Sequence, residues 1–150
     1  MNNRVAEESI PGSNIVPPED KRLDRLLEYT KFHIGIYLSI GGGLVTLISV
    51  ASVPEQGKFL DGLIGAHWAL AVALAFMAVA GLAGGIVASS CAQFETFTKV
   101  WNRKLGPHKL QLFTGETWAF IEHSAFWASI FALVYAVLSK KEVVAWLGRT

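Results

Sequence analysis

Hydrophobic positions in this chain gather into three long runs, residues 32–53, 63–88 and 118–138, separated by short polar segments. Each run is near or above the twenty or so residues that a helix needs to cross a bilayer core about 30 Å thick. The first two runs contain no Asp, Glu, Lys or Arg. A soluble helix would interrupt such a run every few positions to keep one face wet. The pattern predicts an all-α membrane protein with three transmembrane helices, in a membrane domain covering residues 19–150.

The segments around the runs refine this picture. Residues 1–18 are polar, carry Pro11, Gly12, Pro17 and Pro18, and lack the apolar core and cleavage site of a secretory signal, so a disordered tail is expected there. From Glu19 and Asp20 onward, Leu23, Leu26 and Leu27 recur at helical spacing among Lys21, Arg22, Asp24, Arg25 and Glu28, which predicts a short amphipathic helix leading into the first span. Tyr29, Phe32 and Tyr37 read as aromatic anchors near that interface. Pro54 and the polar turn after it end the first span, and the short loop makes the first two spans an antiparallel hairpin.

After Ser89, Ser90 and Cys91 the chain turns amphipathic. Phe94, Phe97, Val100 and Trp101 take one side, with Gln93, Glu95, Lys99, Asn102 and Arg103 on the other. This reads as an interfacial extension of the second helix, stopped by Gly106 and Pro107. Thr114 to Thr117 form an entry turn with a threonine cap before the third span.

Small residues cluster in the second run, with alanines at 66, 69, 71, 73, 75, 78, 80, 83 and 88. Lipid supplies no hydrophobic drive for helices to associate, so close backbone approach is the natural use of such a helix. Gly81-x-x-x-Gly85, together with Ser39-x-x-x-Gly43 in the first run, gives each helix a smooth strip for packing, either inside the chain or between copies. Gly41-Gly42-Gly43 lies within an apolar span, where a phosphate would not go, and reads as a flexing or packing element.

Composition agrees with a membrane location: 52% of the 150 residues are hydrophobic, 11% aromatic and 17% charged. The net charge of +1 indicates no nucleic-acid surface. Its distribution says more. Arg4, Lys21, Arg22, Arg25, Lys31, Lys99, Arg103, Lys104 and Lys109, 9 of the 13 Lys and Arg residues, fall on the N-terminal side of a three-span topology, against Lys58, Lys140, Lys141 and Arg149 on the other. The positive-inside rule then gives a cytoplasmic N-terminus and an external C-terminus, in a plasma or bacterial inner membrane. Lys140 and Lys141, directly after the third span, pull against that orientation.

Candidate chemistry is confined to the ends of the spans. Glu122 and His123 fall about a turn inside the third run, where an ionisable group costs insertion energy and points to function by default. His33 at the start of the first run and Cys91 at the end of the second share their inferred membrane level. Two readings compete for this polar cluster of His33, Cys91, Glu122 and His123: a proton-relay, ion or ligand pocket, or helix-end anchors in headgroup water. The shallow depth weighs toward anchoring. No metal is expected, because ligand-spaced pairs are lacking and adjacent side chains on a helix diverge by about 100°. His67 and Trp68 read as interfacial anchors at the opposite end. Ser124, Ser129 and Ser139 lack histidine and aspartate partners at convincing positions, and no cofactor motif occurs.

An enzyme is therefore not expected. The reading that remains is a small membrane protein acting through helix association, as an accessory, scaffold or regulatory subunit, with lipid and its own copies or a membrane-protein partner as its contacts and no nucleic acid. A homo-oligomeric channel, transporter or membrane-permeabilising effector is the alternative, and a membrane enzyme a more remote one.

Overall fold

The structure, a computed structural model, describes residues 18–51, 53–107, 110–141, 144–145 and 148. Of the expected disordered tail at 1–18, residues 1–17 lie outside them and Pro18 opens the first helix. Three helices are long and apolar enough to cross a membrane: α1 (Pro18–Ala51), α3 (His67–Cys91) and α5 (Gly115–Leu138). Between them stand α2 (Pro54–Leu63), the short α4 (Phe97–Asn102) and a two-stranded antiparallel ribbon of β1 (Lys104–Leu105) and β2 (Phe113–Thr114).

α1 runs unbroken through the charged N-terminal stretch and the first apolar run. Hydroxyls along it donate to carbonyls one turn back, Thr30 to Leu26, Ser39 to Gly35 and Thr46 to Gly42, so these polar groups need no water inside a bilayer. Leu23, Leu26 and Leu27 pack against Val87, Cys91, Val100 and Leu105 of the chain's own core.

The expected polar turn after the first span is a helix instead. Pro54 opens the ten-residue α2, because a first-turn position has no backbone N–H bond to lose, and the second long helix accordingly begins at His67 and not at residue 63. The joint between α2 and α3 is tight. Gly65 N–H donates to the Ala136 carbonyl of α5 at 2.9 Å, and a Cβ at this glycine would lie 2.5 Å from the Lys140 nitrogen.

α3 is the middle helix, with α1 and α5 both antiparallel to it. Its alanines 69, 73, 80 and 83 are fully buried, and Ser129 of α5 donates to the Ala73 carbonyl at 2.8 Å. Toward the other end Gly84 faces Glu122 of α5 and Ile34 of α1. These contacts hold α5 alongside α3 from end to end. Small residues are what let the backbones approach this closely.

The segment after α3 departs from a helical extension. Ser90 accepts the N–H groups of Gln93 and Phe94, closing α3 in a turn, and the extended Thr96 then starts α4 as a separate helix. Val100 of α4 is fully buried. The β1–β2 ribbon, which the hydrophobic pattern does not announce, pairs Lys104 with Thr114 and Leu105 with Phe113. It carries the chain back so that α5 can start beside the end of α3. The threonine cap is present: Thr114 accepts from the Thr117 N–H at 3.3 Å.

Candidate functional site

Tyr29, His33 and Tyr37 occur every four residues on α1, which aligns them along one face. Facing them are Glu122 and His123 at the start of α5, with Gly84 of α3 beneath. Glu122 is only 2% exposed, the largest of the fully buried side chains. Tyr37 donates its hydroxyl to Glu122 Oε1 at 2.9 Å. A Cβ added at Gly84 would lie 3.3 Å from the carboxyl carbon and from Oε1, so the absence of a side chain there makes the room that Glu122 occupies.

The two histidines are oriented alike. His33 Nδ1 lies 2.8 Å from the Tyr29 carbonyl and His123 Nδ1 lies 2.8 Å from the Ala119 carbonyl. A carbonyl only accepts, so Nδ1 carries the hydrogen in both rings and the lone pair of each neutral imidazole is at Nε2. His123 Nε2 accepts from the Tyr29 hydroxyl at 2.6 Å. Ring centroids join the group: 3.9 Å from Tyr29 to His33, 5.9 Å from His33 to His123 and 6.1 Å from His33 to Tyr37. The result is one continuous polar and aromatic cluster bridging α1 and α5.

Three of the four residues singled out from the sequence are thus brought together, and Cys91 is not. It is buried among Val87, Val100 and Leu105, roughly 10 Å further along α3 than Gly84. Tyr29 and Tyr37, read from the sequence only as interfacial aromatics, are members of the site, and their spacing with His33 was the available signal. Among the described residues no Lys or Arg pairs with Glu122, and no group of three metal-ligating side chains occurs.

The remaining candidates lie elsewhere. His67 pairs with Asp61 at 3.1 Å at the opposite end of the bundle, and Trp68 packs on Tyr135. The hydroxyls of Ser129 and Ser139 are taken by the Ala73 and Ala136 carbonyls, so neither forms an acyl-transfer constellation. Ser39 and Gly43 are exposed, and a Cβ at Gly81 or Gly85 would meet nothing within 4 Å. Neither strip therefore packs against another helix of the same chain. Gly81 instead joins Gly41, Gly42, Leu38, Leu74 and Leu82 in lining an outward-facing apolar groove of about 450 Å³ between α1 and α3.

Set against known protein families, curated proteins and solved structures, the chain matches none.

Proposed function

We propose that this chain is a membrane subunit that acts by associating with other membrane helices, its own copies or a partner protein, in an accessory, scaffold or regulatory role and not as an enzyme. The observation that carries the reading is the outward-facing apolar groove whose lining includes Gly41, Gly42 and Gly81. Within the chain, close helix approach is made by the alanines of α3 and by Gly84, which leaves the glycine-rich strips of α1 and α3 open on the outside. α1 supports it as well, since little of its apolar length is buried within the chain. Backbone exposed in this way attracts a helix more strongly than lipid chains do, because a smooth surface gains dispersion contacts on close approach. The distribution of Lys and Arg supports an N-terminus in the cytoplasm and a C-terminus outside.

The test is assembly in lipid vesicles, followed by energy transfer between labelled copies and by cross-linking in native membranes. Gly81→Leu and Gly42→Leu fill the groove without touching the bundle, so association is expected to fall while thermal unfolding of the single chain is unchanged. Unaltered energy transfer and cross-linking in both variants would remove the groove as the association surface.

A further inference from the structure

We propose that Glu122 is a proton-binding site loaded from one end of the bundle only, through His33 and His123, and that the single chain holds this proton without passing it across the membrane. This goes beyond the association reading and does not depend on it.

The access argument starts from the two carboxyl oxygens. Oε1 accepts from Tyr37. No hydrogen bond reaches Oε2 from the described residues, yet no fully enclosed side-chain oxygen or nitrogen in the described structure is without a partner. Oε2 therefore keeps a narrow contact with the surface. An opening on a side chain this deeply buried fits water and a proton, and leaves no room for a larger ligand.

The groups clustered with Glu122 are proton carriers. On α1 these are Tyr29, His33 and Tyr37; on α5, His123; on α3 the facing residue is Gly84, which has no side chain. His33 packs on Tyr37, whose hydroxyl donates to Glu122, with ring centroids 6.1 Å apart, and His123 is the next residue of α5. His33 is half-buried, and its Nε2 has no hydrogen-bond partner among the described residues. Histidine exchanges protons near neutral pH, so His33 Nε2 takes a proton from water and returns it, through water, to Oε2. Nothing is oxidised, no other bond changes, and the Nδ1 hydrogen stays on Nδ1, donated to the Tyr29 carbonyl.

Beyond Glu122 the route closes. The next level is Met77, Ala80 and Ala125, all buried, and then Ser129, whose hydroxyl is committed to the Ala73 carbonyl. The next titratable groups described, Tyr135, His67, Asp61, Lys58 and Lys140, lie at the far end of the bundle. A proton at Glu122 can leave only the way it came.

The experiment is infrared difference titration of the full chain in phosphatidylcholine vesicles, with and without carboxyl-¹³C glutamate, between about pH 4 and 10. A protonated-carboxyl band is expected that titrates, shifts with the label, moves in D₂O and is missing from Glu122→Gln. The isotope shift identifies a glutamate in the unsubstituted protein, so the assignment survives if Glu122→Gln folds poorly. With helicity intact, the pair His33→Leu and His123→Leu should slow D₂O exchange of that band by about a hundredfold. Vesicles loaded with a pH-sensitive dye should show no sustained proton flux above protein-free vesicles. Three results would overturn the proposal: a Glu122 carboxyl that never titrates or exchanges, unchanged exchange in the histidine double variant, or a sustained flux abolished by Glu122→Gln.

Discussion

Tyr37 and Gly84 hold the Glu122 carboxyl from two sides, and each makes a distinct prediction. Tyr37→Phe keeps the ring in place but leaves Oε1 buried without its donor, which is expected to cost about 1–3 kcal/mol in the unfolding free energy. Reversible unfolding in mixed micelles measures this; an unchanged midpoint would mean that water replaces the hydroxyl. Gly84→Ala drives a methyl group to 3.3 Å from a carboxyl that Tyr37 ties down, with Ile34 at 3.4 Å on the other side, so little can give way. A loss of about 1–3 kcal/mol is expected in the same assay. Membrane depth made His33, Glu122 and His123 legible in the sequence. It misled for Cys91, because residues at one level of a bundle meet only if their helices are also rotated toward one another, and rotation is decided by packing.

At the scale of elements, the joint between α2 and α3 carries more than a loop would. Gly65 sits against the backbone of Ser139 and Lys140, and Lys140 Nζ donates to the Asp61 carbonyl at 2.5 Å, fastening the segment just after α5 to the end of α2. Gly65→Ala therefore collides with backbone, which cannot rotate aside as a side chain can, and should destabilise the bundle by about 1–3 kcal/mol or more. Gly62→Ala, in the last turn of α2 with nothing within 4 Å of its Cβ, is the control and should be neutral or stabilising by about 0.5–1 kcal/mol. Equal unfolding midpoints for the two variants would remove the clasp. Neither α2 nor the β1–β2 ribbon was readable beforehand. Pro54 reads equally as a stop and as a first turn, and a two-residue strand has no period to detect.

For the whole molecule, the antiparallel packing of α1 and α5 on α3 makes a statement about sides. With Cys91→Ala as background, cysteines at Lys21 and Asn102 should label from one face of the membrane, and cysteines at Lys58 and Lys141 from the other. The excess of Lys and Arg predicts that the first pair is cytoplasmic. Labelling of Lys141 from the same face as Lys21 would mean that α5 does not cross.

The sequence by itself determined that three helices are long and apolar enough to cross a membrane, roughly where they begin and end, and that the second is built for close packing. Those properties depend on runs of residues and on the hydrocarbon thickness they must match, which are local and one-dimensional. Tertiary structure alone decided which small residues are spent inside the chain and which remain outside. Gly84 and Gly81 are three residues apart on one helix, yet one receives the Glu122 carboxyl and the other opens onto the groove. It also decided that two tyrosines complete the cluster, because the rotation of each helix about its axis is fixed only when all three pack together.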